Sequence, residues 1–313
     1  MIHPDYLEEI SDTSGLFVLL ATLWGASFVA IEVGLHYFPP VMFAALRYDV
    51  AGVLVLAYAV RSTDRWRPRS RQEWLQTVVT AVFLFAAYHA LLYLGERHVS
   101  GAVAAVVISL SPILTAGFGS VLHVEDPLQP LGALGFLLGI AGVVVVVQPT
   151  PGTALSTSLV GVLLVFCAGT SFALGSVLTR PLDTGLPVQT KQAWSMLVGA
   201  GVLHVVSTAR GESFEAIQWT QPALVSLGYL TLASGVVAFL LYFELLERLG
   251  PTELNLVGYL EPVVATVVSW ALFGTLVDDA TLVGFAVIFA GFALVKHDAF
   301  GQVLGRRFER ARR

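Results

Sequence analysis

The sequence predicts an all-α polytopic membrane protein, with ten transmembrane helices arranged as two inverted five-helix repeats. Three observations carry that expectation. Hydrophobic residues make up 56% of the 313 residues and charged residues only 12%, about half the ~25% charge of a soluble domain. Mean hydropathy is +0.78, and apolar runs recur almost end to end at the ~20-residue length that crosses hydrocarbon. The chain also repeats itself. Leu110-Ser111-Pro112 returns as Leu260-Glu261-Pro262, Glu96-Arg97 as Glu247-Arg248, and Gly25-Ala26-Ser27-Phe28 as Gly169-Thr170-Ser171-Phe172.

Spans are expected at 15–36, 41–60, 74–94, 100–122, 128–147, 159–178, 188–208, 224–245, 253–273 and 280–295. Their apolar residues run continuously rather than alternating, which excludes a lipid-facing barrel. Helices also satisfy every backbone group within one segment, as hydrocarbon requires. The spans divide into a first repeat at 15–147 and a second at 159–295, joined by an uncharged Pro/Thr/Ser-rich linker at 148–158. An N-terminal segment, 1–14, and a basic tail, 296–313, flank them. Five spans per repeat is odd, so the second repeat lies upside down relative to the first. A binding site is then expected between the halves, near the bilayer midplane. Residues 1–13 are acidic and lack the basic start of a cleaved signal peptide, so the first span is expected to remain as an anchor.

The basic residues set the orientation. Arg61, Arg65, Arg67, Arg69 and Arg71 follow the second span, and Lys296, Arg306, Arg307, Arg310, Arg312 and Arg313 follow the last. With both termini in the cytoplasm, these fall inside together with Arg180, Lys191 and Arg248. Only Arg97 and Arg210 fall outside, fourteen against two. That bias sets both termini on the cytoplasmic side, and the protein is expected as a multi-pass protein of the cell (plasma) membrane. The single cysteine, Cys167, rules out an intrachain disulfide and a cysteine-type metal cluster. No two histidines share ligand spacing on one helix face, so no metal is expected. The chain lacks a Gly-x-x-x-x-Gly-Lys phosphate loop, which excludes ATP hydrolysis. No cofactor and no nucleic-acid partner are expected; the partners are lipid, a small solute, protons and a second copy in a homodimer.

Site candidates are the polar and aromatic residues at depth. Pro112 and Pro262 occupy matching places, and a proline inside a helix frees a carbonyl toward a neighbour or a cavity. One reading makes them packing kinks and the other makes them cavity walls. Glu261 precedes Pro262, where its counterpart is the neutral Ser111. A carboxyl at that depth faces a cavity or a partner, so Glu261 either braces the carbonyls freed by the proline or meets a proton or the solute. Arg47 is expected to pair with Glu32, the alternative being contact with an anionic group. Asp49, two residues on, points elsewhere and has no obvious partner. His89, a possible proton shuttle, lies beside Tyr88. Trp24, Phe28, Phe172 and Tyr259 flank the repeated words, and Phe239 lies at similar depth. Ser27 and Ser171 recur at matching positions. Gly132, Gly135, Gly139 and Gly142 stripe the fifth span, with Gly284 and Gly291 in the tenth. They suit either a contact between halves or a dimer interface.

In order, Trp24-Gly25-Ala26-Ser27-Phe28, Pro39-Pro40 leading to Ala45-Leu46-Arg47, Ser111-Pro112, Gly258-Tyr259-Leu260-Glu261-Pro262-Val263 and Ala290-Gly291 resemble the drug/metabolite transporter superfamily. Within it, the chain is similar to the ten-span EamA family over nearly its whole length. Two features depart from that pattern. Glu32 stands where relatives often carry a basic residue, and Asp278-Asp279 replaces a usual Gly-Glu. The resemblance implies a central cavity formed mainly by helices 1, 3, 4, 6, 8 and 9, and alternating access. It also implies a secondary transporter, expected to export an amino acid, nucleoside or drug-like solute. The candidate solute contacts are then Trp24, Ser27, Phe28, Tyr88, His89, Ser111, Ser171, Phe172, Phe239, Tyr259 and Glu261. Arg47, Asp49, Pro112, Pro262 and Glu32 are assigned to structure or gating. The rivals are an intramembrane enzyme, for which Ser171, Cys167 and His89 stand without a Gly-x-Ser-x-Gly or HExxH frame, and a non-transporting membrane scaffold or sensor.

Overall fold

The computed structural model describes residues 4–125, 127–147, 157–254 and 256–295. The basic tail and most of the 148–158 linker lie outside the described residues. Those described are built from helices and connecting turns. In chain order they are α1 (Pro4–Gly34), α2 (Pro40–Ser62), α3 (Arg71–Thr80), α4 (Tyr88–Gly95), α5 (Gly101–Ile108), α6 (Ser111–Val121) and α7 (Pro130–Val147). There follow α8 (Thr157–Leu178), α9 (Val188–Ala209), α10 (Gln221–Gly228), α11 (Ala238–Leu254), α12 (Val257–Phe273) and α13 (Asp279–Val295).

Two π-helical segments join helices into longer rods: Ala81–Ala87 links α3 to α4, and Tyr229–Val237 links α10 to α11. Seven stretches among the described residues are long and apolar enough to cross a membrane: Thr13–Gly34, Pro40–Ser62, Arg71–Gly95, Gly101–Val121, Pro130–Val147, Ser158–Leu182 and Gln221–Leu246. The apolar α12 and α13 are shorter, at 17 residues each. The protein is a multi-pass, all-helical membrane protein. The expected eighth span ends too early, since helix continues to Leu254 through the Glu247-Arg248 word.

Local chemistry sets the ends. Pro39 precedes α2 and Pro40 occupies its first turn, where a missing N–H costs nothing. At α3, Ser70 Oγ accepts from Glu73 N and the Glu73 carboxylate accepts from Ser70 N, a capping box. Gly274, at φ 69°, closes α12 in a left-handed turn. Pro112 has no N–H to continue a helix, so the fourth span divides at Ser109-Leu110 and restarts as α6. Pro262 instead lies inside a continuous α12.

The main contacts between the two halves of the chain pair α7 with α13, α2 with α9, and α1 with α12. α8 packs on α5 and α6 as α1 packs on α12; α8 packs on α4 as α1 packs on the α10–α11 rod. Under the sequence repeat, each of these contacts has its counterpart. The glycine stripes do their work here. A Cβ on Gly135 would lie 2.4 Å from the Gly291 carbonyl oxygen, and one on Gly284 would lie 2.7 Å from that of Gly142. Bare glycine lets the α7 and α13 backbones touch, so these stripes join the halves within one chain.

Candidate functional site

A cavity of about 270 Å³ opens between the halves, small beside the ~300–1,000 Å³ of ligand pockets. Its walls come from α1, α4, the α5–α6 junction, α8, the α10–α11 rod and α12, with Arg47 and Tyr48 reaching in from α2 and Gln192 from α9. Aromatic rings build the sides. Trp24 meets Phe239 and Tyr242 with centroids 5.5 and 5.6 Å apart, and Tyr88 meets Phe172 at 5.5 Å.

The π-helical segments shape this wall. A π turn is wider than an α turn and leaves carbonyls off the regular ladder. In each half, a side chain of the facing helix takes one of them. Trp24 Nε1 of α1 donates to the Ser234 carbonyl at 3.3 Å, and Ser171 Oγ of α8 donates to the Phe83 carbonyl at 2.9 Å.

Polar groups are few and placed. Arg47 is 4% exposed; it donates from Nη1 to Tyr93 Oη at 3.2 Å and from Nη2 to Ser234 Oγ at 3.0 Å, while Nε has no partner. Its guanidinium carbon stands 4.9 Å from the Tyr48 ring centre. Both hydrogen-bond partners are neutral, so a buried cation meets the cavity without a bonded counter-charge, a costly arrangement that an anionic group would relieve. His89 Nδ1 lies 3.0 Å from the Phe85 carbonyl oxygen and Nε2 lies 2.5 Å from Tyr48 Oη. A carbonyl only accepts, so Nδ1 carries a proton; at Nε2 a neutral ring would accept from the Tyr48 hydroxyl and a protonated one would donate to it. Glu261 lines the cavity, and none of the described residues hydrogen-bonds its carboxyl. Ser111 Oγ is likewise buried without a partner.

Trp24, Ser27, Phe28, Arg47, Tyr88, His89, Ser111, Pro112, Phe172, Phe239 and Glu261 therefore gather around one space. Others of the sequence-derived set stand elsewhere. Ser171 is spent on the Phe83 carbonyl. Tyr259 packs against Phe292 at 4.2 Å and Phe289 at 5.7 Å. Pro262 is buried within α12, its carbonyl taken by Thr266 Oγ1 at 2.8 Å. The expected Arg47–Glu32 pair is not formed, because Glu32 Oε2 accepts from Gly101 N at 2.7 Å, capping α5. An unpaid N-terminal amide offers a carboxylate a fixed donor nearby. Asp49 faces away from the cavity and meets His204 Nε2 at 2.7 Å. Tyr48, Gln192, Ser234 and Tyr242 are further polar or aromatic wall residues outside the sequence-derived set; only Tyr48, beside the buried Arg47, carries any sequence signal. No group of three or more His, Cys, Asp or Glu among the described residues could hold a metal ion.

The profile of the EamA-like transporter family matches this chain twice, over residues 13–148 and 159–296. An uncharacterized inner membrane transporter, YedA, of Escherichia coli strain K12 is 26% identical over 283 residues, covering 90% of this chain and 89% of its own. The uncharacterized transporter YvbV of Bacillus subtilis is 25% identical over 90% of this chain and 91% of its own. An uncharacterized transporter of Archaeoglobus fulgidus is 24% identical over 91% and 97%. A crystal structure described only as that of a protein superposes with a TM-score of 0.64, at 20% identity, over 96% of this chain and 99% of its own, which shows a shared fold. With both matches together spanning most of its length, the chain belongs to the EamA-like transporter family.

Proposed function

We propose that this chain is a secondary transporter that exports a small organic solute by alternating access around the cavity between its halves. One observation carries the reading. A single small cavity takes Arg47 from the first matched segment and Glu261 from the second, between aromatic walls supplied by both. Arg47 suits an anionic group of the solute, and Glu261 a cationic or hydrogen-bond-donating one. Amino acids combine the two at metabolite size; nucleosides and cationic drugs would use Glu261 and the rings.

In this reading the chain crosses the membrane ten times. The two matched segments hold five crossings each in opposite orientation, with both termini in the cytoplasm of a plasma membrane. The mirrored contacts of α1 and α8 support the repeat, and the arginine distribution supports the orientation. Rocking of the halves would expose the cavity to one side and then the other.

The test begins with the purified protein and a thermal-shift panel of amino acids, nucleosides and cationic drugs. A solute at tenfold its dissociation constant should stabilise the fold by about 1.4 kcal/mol. Hits then go to proteoliposomes for flux. Binding without flux under any gradient would replace the transporter with a sensor.

A further inference from the structure

Glu96 is a buried acid with no hydrogen-bond partner among the described residues. It is 4% exposed, and both carboxyl oxygens are buried without a hydrogen-bond partner. It directly follows α4, in the short connection to α5. That place lies between two spaces. Leu92 of α4 lines the cavity, while Leu94 and Arg97 line a separate, open depression of about 700 Å³ at the ends of α1, α4 and α9. Tyr93, one turn earlier on the same helix face, holds one arm of Arg47.

The groups that face Glu96 are few. α1 supplies Glu32, already occupied by the Gly101 amide. α2 supplies Arg47, with Tyr48 behind it; α4 supplies Tyr93 and, further along, His89 and Tyr88. α5 and α8 carry no charged residue, and Cys167 of α8 is exposed. Arg97 and His98 beside it are exposed toward the depression. An ionised carboxylate in this place would lose its water and gain no donor, which burial penalises steeply. Burial accordingly holds the Glu96 carboxyl well above the usual carboxylate range, Glu32 pushing the same way and Arg47 opposing. Arg47 is the complementary group, since its Nε is unpartnered and it makes no ion pair.

We propose that Glu96 is a proton-binding site of the transport cycle: it carries a proton in the conformation described here and releases it when Arg47 leaves Tyr93 to pair with it. In that step the carboxyl O–H bond breaks, the proton passes to water in the open depression, and the guanidinium becomes the counter-charge of the carboxylate. Nothing is oxidised or reduced. This assignment rests on the transport reading above and gives that transporter a coupling site distinct from the cavity carboxyl of Glu261.

Two measurements test it. Infrared spectra of the protein in lipid nanodiscs at neutral pH should show a protonated-carboxyl stretch that Glu96→Gln removes and Glu261→Gln leaves. A spectrum unchanged by Glu96→Gln overturns the proposal. In proteoliposomes, with the amino acid, nucleoside and drug panel as probes, Glu96→Gln should lose gradient-driven flux at least tenfold. It should keep counterflow at equal pH within about twofold, because the amide mimics the protonated acid. Glu96→Asp should keep coupling with a displaced pH profile and shows that the site tolerates change. Gradient-driven flux that survives Glu96→Gln at wild-type level overturns the proposal. Should the wild type move no panel solute, the transport reading fails by itself; the loss or survival of the infrared band then decides whether Glu96 holds the proton.

Discussion

The two matched segments, 13–148 and 159–296, agree in their scaffold and differ in their charges. Both carry a π-helical segment in the third rod, both spend a facing side chain on it, and both present α1 or α8 to the other's cavity helices. Arg47 stands eight residues after Pro39, the residue before α2; eight residues after Pro187, the residue before α9, stands Ser195, bonded to the Thr77 carbonyl at 3.1 Å. Glu261, next to Pro262, matches Ser111, next to Pro112. Each cavity charge thus has a serine as its counterpart. The loops differ too: α4 stops before Glu96-Arg97, whereas α11 runs on through Glu247-Arg248, where exposed Arg248 pairs with Glu244 one turn back at 2.6 Å. In the proposed transport cycle, this pairing of like scaffold with unlike charge would let the halves rock while holding the two ends of one solute differently.

The sharpest way to break that comparison is to make the first segment resemble the second. Arg47→Ser should abolish solute flux, by about a hundredfold or more. It removes both guanidinium hydrogen bonds, Nη1 to Tyr93 and Nη2 to Ser234, and hydrogen bonds to charged groups are the strong ones at roughly 1.5–3 kcal/mol each. Arg47→Lys should recover little, because one ammonium cannot span both partners. Flux in proteoliposomes checks both. Wild-type flux in Arg47→Ser would show that the charge asymmetry is incidental.

The scaffold itself is tested where the segments touch. Gly135→Ala would drive a methyl to within 2.4 Å of the Gly291 carbonyl, so it should destabilise the protein by about 1–3 kcal/mol. Gly201→Ala, at an exposed position of α9, meets nothing within 4 Å and should gain up to ~1 kcal/mol from helix propensity. Thermal unfolding of the two variants side by side reads the difference. Equal behaviour would mean that α7 and α13 do not close on each other.

The loop contrast yields a pH prediction. Burial raises the Glu96 carboxyl in the folded state, so between its ordinary value and that raised one the folded protein binds more protons than the unfolded. Stability contributed by that proton is present at low pH and lost as pH climbs, by at most about 1.4 kcal/mol per pH unit. Glu96→Gln should flatten that slope, converging with wild type in acid and exceeding it at pH 8. Parallel melting curves across pH would remove Glu96 from the account.

The helical, multi-pass character of the fold was legible because bilayer thickness imposes its length on the sequence, and the matching of the two segments because Gly25, Phe28, Pro112 and their counterparts recur in order. Of the rings that flank those words, Trp24, Phe28 and Phe172 line the cavity while Tyr259 packs away from it. What escaped was decided by three-dimensional pairing. Glu32 prefers the fixed amide of Gly101 to Arg47, a choice that depends on where α5 begins. The π-helical segments leave no composition mark, so Ser234 and Phe85 could not be placed on the cavity. Glu96 read only as half of a repeated dipeptide at a helix end, where a charge is normally solvated; its burial comes from tertiary packing, with Glu32 of α1 and Arg47 of α2 facing it.

Asp49 shows the same limit on a smaller scale, and sets the mildest prediction. Its partner, His204, is 155 residues away, and they meet only because α2 packs along α9. Both side chains remain substantially exposed, at 43% and 39%, on the side of these helices away from the cavity. An exposed pair contributes only about 0.2–1 kcal/mol, and interhelical hydrogen bonds in lipid average near ~0.6 kcal/mol. A double-mutant cycle of Asp49→Asn and His204→Gln should therefore return a coupling below about 1 kcal/mol in thermal stability, with flux unchanged within twofold. A larger loss of flux in either variant would give the α2–α9 contact, the seam where corresponding helices of the two segments meet, a part in the proposed transport cycle that its position outside the cavity otherwise denies it.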